Sequence, residues 1–224
     1  MRNAAWLAVA LALLAASTGS AAAPELKTEE QKTLYAIGLA FSNGLAPFAL
    51  SEAELEIVKA GMTDGVLNRE KKVDLQTYGP KIQELQKTRA TAVAAIEKKA
   101  GQAFLDKAAA EKGATKTASG LVVTTLKAGS GPAPKATDTV KVHYHGTLID
   151  GSVFDSSVQR GQPATFALNQ VIRCWGEGVQ LMRVGGKSRL VCPADLAYGE
   201  RGAPPKIKPG ATLVFEVELL EIAK

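Results

Sequence analysis

Between Val140 and Leu220 four blocks, VKVHYHGTLIDGSVFDSS, VIRCWGEGVQLM, LAYGERGAPP and ATLVFEVELL, space aromatic and aliphatic residues around one tryptophan, Trp175. The chemistry open to these residue types is narrow. No serine or cysteine there has a histidine placed to activate it as a nucleophile. His143 and His145 share a strand face with Lys141, and two histidines beside a lysine with no third ligand are solvated side chains rather than a metal centre. Gly186, Lys187 and Ser188 echo a phosphate loop, but the first glycine of that loop would fall at Leu181 and the segment follows a helix, not a strand. What is left is an apolar constellation holding a few polar groups, which suits non-covalent binding and orientation. It calls for no cofactor and no metal.

The elements that must position these residues are legible from periodicity. Val140, Val142 and Tyr144 alternate with Lys141, His143 and His145, and Leu213, Phe215, Val217 and Leu219 alternate with Val214, Glu216 and Glu218, the period of half-buried strands. One short helix, about Trp175 to Met182, lies between them and is closed by Gly185 and Gly186. A sheet with one helix against a face makes this half α+β, residues 121–224.

Upstream the period is helical. Thr28 with Gln31 and Ser51 with Glu54 have capping-box spacing. Leu34, Ile37, Gly38, Phe41 and Leu45 form one stripe, and Leu55, Val58, Met62 and Val66 another. From Pro80, expected in a first helical turn, Ile82, Leu85, Ala92, Val93, Ile96, Ala100 and Phe104 continue a narrow seam along a long helix. Such a seam packs on partner helices of its own chain or of a second copy. Residues 24–112 are thus expected to be an all-helical domain ending in a long helix, and the small, polar stretch 113–120 a hinge. No internal repeat is visible.

Residues 1–23 have the layout of a secretory signal: Arg2, an apolar run from Trp6 to Ala16, then small residues to Ala23. Pro24 disfavours a cut directly after Ala23 and moves it one or two residues earlier. The run is too short to span a membrane, and with no cysteine nearby it predicts an unanchored, exported product, periplasmic or secreted. A formal charge of +5 is spread among interleaved acidic and basic residues, which reads as solvated surface and not as a nucleic-acid stripe. Cys174 and Cys192 are the only cysteines. They form either a disulfide or two small buried hydrophobes, and export favours the bridge.

The blocks quoted above resemble the FK506-binding-protein (FKBP) type of peptidyl-prolyl cis/trans isomerase from Gly120 to Ile222, almost without gaps. The resemblance implies that Trp175 is the floor on which a proline ring rests and that Tyr144, Phe154, Val171, Ile172 and Phe215 are its walls, with Phe166 and Ile207 also in the substrate site. It implies further that the Ile172 N–H donates to the substrate carbonyl, that the Tyr198 hydroxyl binds the peptide, and that Asp155 is a pocket carboxylate held ionised by Arg160. Filling a core would not require tyrosine, aspartate and arginine at matching places as well. The reaction needs no covalent step. Rotation about an X-Pro amide breaks resonance at a barrier of about 18 to 20 kcal/mol and takes tens of seconds or longer. The twisted amide is less dipolar than the planar one, so a dry pocket favours it. Shortening the step to ~10 ms takes roughly 4 to 6 kcal/mol of differential binding, within reach of desolvation plus one or two oriented hydrogen bonds.

Several residues depart from the family. Cys174 stands where glycine is common and Cys192 where a buried aliphatic is usual, a paired change that suggests bridging. Ala164 replaces an aromatic wall seen in some members, Ala203 a histidine, and Lys206 and Lys208 apolar or proline residues. These predict a more open, more basic rim, which bears on binding of an FK506-like macrolide inhibitor. TLYAIGLAFSNGL, DLQTYGPKIQELQ and KKAGQAFLDKAAAEKGATKTASGL are similar to the amino-terminal module of exported bacterial FKBPs of the macrophage-infectivity-potentiator and FkpA kind. That module implies a homodimer acting on unfolded or proline-containing polypeptides, as a folding isomerase or as a chaperone that holds clients.

Overall fold

Three helices open the described chain, which in this computed structural model runs from residue 25 to residue 223. The signal segment expected over residues 1–23 lies outside it. The helices are α1 (Glu29–Leu45), α2 (Glu52–Val66) and α3 (Leu75–Ala109). Both expected capping boxes form. Gln31 donates its N–H to the Thr28 hydroxyl at 3.2 Å and accepts from the Thr28 N–H at 3.1 Å. Ser51 and Glu54 make the same reciprocal pair at the start of α2. Pro80 is not in a first turn, as the sequence suggested, but inside α3. Asp74 starts the helix earlier by accepting from the Thr77 N–H at 2.8 Å. Pro80 therefore removes a hydrogen bond to the Gln76 carbonyl within the helix.

The described residues up to Ala40 and those from Phe41 onward belong to two separate compact units. Within the second, Arg89 of α3 donates to the Phe48 carbonyl at 2.8 Å and pairs with Glu54, tying α2 and the turn before it to α3. The face of α3 that is buried carries Ala94, Gly101, Leu105 and Ala108. Leu105 and Ala108 pack with Val122 and Val191 of the sheet. The predicted seam meets this face only at its end: Phe104 packs against the same cluster, whereas Ile82, Leu85 and Ile96 are exposed. Small residues, not large ones, mark where the backbone of α3 comes close to the sheet domain.

Seven strands follow: β1 (Ala114–Lys116), β2 (Val122–Lys127), β3 (Thr139–Leu148), β4 (Val153–Ser156), β5 (Ala164–Ala167), β6 (Lys187–Cys192) and β7 (Leu213–Ala223). All pairs are antiparallel, in the order β1-β2-β6-β7-β3-β4, with β5 on the first half of β3. The stretch 113–120, expected as a hinge, holds β1, whose Thr115 stands opposite Val123. Its backbone is bound into the sheet edge, so it joins α3 to the sheet directly. The expected helix at Trp175 is α4 (Arg173–Gly178), which passes into a single tighter turn, Val179–Leu181. Val140, Val142, Leu213, Val217 and Leu219 are fully buried on the inner face of the sheet, with Trp175 in the same core.

Candidate active site

The alternation of β3 turns Tyr144 inward, and the next inward position is Gly146. Gly146 stands opposite Phe215 of β7 and Asp155 of β4. A Cβ there would lie 2.7 Å from the Phe154 ring and 3.1 Å from the Phe215 ring. Glycine thus leaves the space two rings need to meet edge-on, 5.4 Å between centroids. Trp175, 4% exposed, sits on α4 beneath them. Its ring is met edge-to-face by Tyr144 at 5.3 Å, Phe166 at 5.4 Å and Phe215 at 5.4 Å. Each such contact contributes about 0.5–1.5 kcal/mol beyond area burial, so the floor is held from three sides. The Trp175 Nε1–H is buried without an acceptor among the described residues.

A disulfide joins Cys174, beside Trp175, to Cys192 at the end of β6, with Cα atoms 5.7 Å apart. Both residues are fully buried. The bridge fastens the six-residue α4 to the sheet, a segment too short to hold itself as a helix.

Polar groups cluster at one wall. Tyr144 donates its hydroxyl to Oδ2 of Asp155, Arg160 pairs with Oδ1, and Arg160 Nη2 donates to the Tyr144 hydroxyl at 2.9 Å. Burial alone would raise the Asp155 pKa, but the hydrogen bond from Tyr144 and the Arg160 guanidinium outweigh it and hold the carboxyl below its ordinary value. Burial, then the Asp155 carboxylate, pushes the Tyr144 phenol up. The wall therefore carries an ionised Asp155 and a protonated Tyr144 at neutral pH.

These groups border one cavity of about 360 Å³, a size suited to a short stretch of peptide. Of the residues expected from sequence, Tyr144, Phe154, Asp155, Phe166, Val171, Ile172, Trp175, Tyr198 and Phe215 line it. Arg160 stands behind Asp155, half exposed, and acts on the cavity through that carboxylate. Ile207, expected in the substrate site, is instead buried in the core, paired through its backbone with Ala203. Lys206 donates to the Phe154 carbonyl at 2.9 Å and Lys208 pairs with Glu97 at 3.1 Å. Both ammonium groups are thus engaged, and the expected basic rim is muted. Gln170 also lines the cavity and was not singled out from sequence. It precedes Val171 and Ile172 in the run leading into α4, and that adjacency was its only signal. His143 and His145 bond Ser157 and Ser156 at 3.2 and 3.0 Å, and among the described residues no cluster of His, Cys, Asp or Glu is arranged as a metal site.

Residues 131–220 match the family described as FKBP-type peptidyl-prolyl cis-trans isomerase, and residues 30–123 match the domain amino terminal to such isomerases. The chain is 47% identical over 212 residues to the FKBP-type isomerase FkpA of Aeromonas hydrophila, covering 89% of this chain and 79% of the relative.

The chain belongs to the FKBP-type peptidyl-prolyl cis-trans isomerase family.

It is also 42% identical over 203 residues to the FKBP-type 22 kDa isomerase of Escherichia coli K12, spanning 98% of that protein. The crystal structure of FkpA from Escherichia coli superposes with a TM-score of 0.66 at 36% identity, over 88% of this chain and 98% of that one. The sequence resemblance and the α+β class with a helical amino-terminal module are borne out. This FKBP-type chain is a peptidyl-prolyl cis-trans isomerase of the FkpA type, and among its described residues no helix is long and apolar enough to cross a membrane.

Proposed function

We propose that the mature chain is an exported homodimer that speeds the folding of other exported proteins by twisting X-Pro amides in the cavity over Trp175. The observation that carries this reading is the cavity itself, apolar at its Trp175 floor and polar at the Asp155 wall. The proline ring rests on Trp175 between Phe154 and Phe215, where water is excluded and the less dipolar twisted amide is favoured. The Ile172 N–H, at the entry to α4, donates to the carbonyl of the bound peptide, and the Tyr198 hydroxyl holds the chain beyond it. Asp155, kept ionised by Tyr144 and Arg160, faces the rotating carbonyl, whose oxygen turns away from it. No residue changes its covalent state.

Dimerisation is supported by α1, in which Leu34, Ile37 and Phe41 are exposed and no residue is buried. A helix of 17 residues with an uncovered apolar stripe gains its stability from a packing partner, here a second copy of the same helix. Two cavities on one dimer raise apparent affinity for a client chain through effective concentration. The same exposed residues, with Leu75, Ile82 and Leu85 on α3, favour a second reading in which the chain shields unfolded polypeptides and isomerisation is incidental.

Protease-coupled isomerisation of a short X-Pro peptide by the mature protein, with Trp175→Ala and Asp155→Ala alongside, tests the primary reading. Fast catalysis sharply reduced in both variants supports it. A wild-type rate equal to the uncatalysed one, with aggregation of an unfolded client still suppressed, would replace it with the second.

A further inference from the structure

Lys98 lies on α3, a helix that contributes nothing to the cavity lining. Its ammonium group is nevertheless 3.0 Å from Glu200 and 3.6 Å from Asp195, and so grips the chain just before and just after Tyr198. Around this grip the backbones come unusually close. A Cβ on Gly101 would lie 2.2 Å from the Thr212 hydroxyl, and one on Gly210, whose φ is +75°, would lie 2.6 Å from the Ala94 carbonyl. Glu97 adds the ion pair to Lys208 at 3.1 Å.

The segment so held is stiff. The Gly210 N–H donates to the Gly199 carbonyl at 2.9 Å, the Gly199 N–H to Ala194 at 2.8 Å, and the Gly202 N–H to the Tyr198 carbonyl at 3.1 Å. Residues 194–210 therefore form one cross-bonded loop. Its outer side rests on α3 and its inner side presents Tyr198 to the cavity.

We infer that α3 sets the position of Tyr198 in the isomerase cavity, and that Lys98 is a positioning residue for substrate binding through its paired contacts with Asp195 and Glu200. This rests on the peptide-binding role proposed above for the Tyr198 hydroxyl. The ion pairs are largely solvent-exposed and add little to fold stability. Their consequence is placement: without Lys98 the loop keeps its internal bonds but loses the ties to α3 that lie on either side of Tyr198, a residue that is itself 41% exposed.

The test is a double-mutant cycle on the full mature chain. KM and kcat for a short X-Pro peptide are measured for wild type, Lys98→Ala, Lys98→Arg, Tyr198→Phe and Lys98→Ala/Tyr198→Phe, with thermal midpoints to confirm folding. Lys98→Ala is expected to raise KM about two- to five-fold, the range an exposed ion pair can supply, with kcat nearly unchanged, and Lys98→Arg to restore it. In the Tyr198→Phe background the Lys98 effect is expected to vanish. Wild-type KM should rise toward that of Lys98→Ala at about 1 M salt, where the Debye length is near 3 Å. An unchanged KM in Lys98→Ala, a failed rescue by arginine, or an equal Lys98 effect with and without the Tyr198 hydroxyl would each overturn the inference. A normal KM in Tyr198→Phe would instead remove the role of Tyr198 on which it rests.

Discussion

Tyr144 on β3 donates its hydroxyl to the carboxylate of Asp155 on β4, and Arg160 holds both members of that pair. The two side chains come from strands that are neighbours in the sheet, yet the bond runs along the cavity wall, so the sheet itself fixes the direction of the carboxylate. The folded-state pKa of Asp155 is depressed. Its ionised form is therefore fully present above the unfolded value of about 3.9 and is lost as pH falls through the lower folded value. With Tyr144 raised, kcat/KM is expected to be flat from about pH 5 to pH 8 and to fall only below the ordinary aspartate range. Asp155→Asn keeps the size and removes the charge. It should lower kcat/KM roughly three- to ten-fold, the loss of a charged hydrogen bond reduced by partial solvent exposure. A pH–rate profile of both proteins checks this, and a wild-type inflection between pH 5 and 8 would contradict it.

Gly146 is a site residue with no side chain. Substituting alanine puts a methyl group into the Phe154 ring and against Phe215, and overpacking of this kind costs about 1–3 kcal/mol. Gly146→Ala should shift the urea midpoint downward and depress isomerase activity more than stability alone predicts, because the Phe154 and Phe215 rings that must yield both line the cavity. Activity measured well below the unfolding transition separates the two effects.

The cavity was largely legible before the fold through the family resemblance, which implied its floor and walls; periodicity by itself placed only Tyr144 and Phe215 on the inner faces of strands. Gly146 was not, because a missing side chain leaves no pattern until the ring that fills its space is known. Ile207 was misplaced for the opposite reason: an aliphatic residue in a proline-rich loop reads the same whether it points to the core or to the cavity. Periodicity gave the packing of α3 only in part: Phe104 of the stripe and its neighbour Leu105 do meet the sheet domain, but the closest approaches are made by the small residues Ala94 and Gly101, and Ile82, Leu85 and Ile96 stay exposed. The strand Ala114–Lys116 was hidden by its polar composition; it is an edge strand held by backbone bonds, not by burial.

The disulfide predicts a redox dependence of stability. Cys174 and Cys192 close a short loop, with a sequence separation of 18, for which the chain-entropy account gives about 3 kcal/mol. The Cys174→Ala/Cys192→Ala variant should unfold at lower denaturant than wild type. Reductant present during unfolding should bring wild type toward the variant and leave the variant unchanged. Because α4 carries Trp175 as well as Cys174, tryptophan fluorescence of a chain prepared without residues 1–23, in which Trp175 is the one tryptophan, should show the loosened floor in the folded variant. Equal midpoints in oxidised and reduced wild type would sink this account.

Glu54 joins two tasks in one carboxylate: it closes the capping box of α2 and pairs with Arg89 of α3. The hydrogen bond from Arg89, followed by those from the Ser51 N–H and hydroxyl, lowers its pKa to about 2 against a weaker opposing effect of burial. For a depressed carboxyl the stabilisation is complete above the unfolded value, about 4.3, and is lost as pH falls toward 2. The junction of α2 with α3 should therefore loosen between about pH 4 and pH 2. Arg89 would keep its bond to the Phe48 carbonyl, 2.8 Å away, so the turn before α2 should release later than α2 itself. Amide exchange across residues 49–66 at pH 2 to 5 reads this directly: protection is expected to drop with acid in wild type and to be low and pH-independent in Glu54→Gln, which cannot ionise. Protection that stays unchanged down to pH 2 in wild type would mean that apolar packing, not this carboxylate, holds α2 on α3.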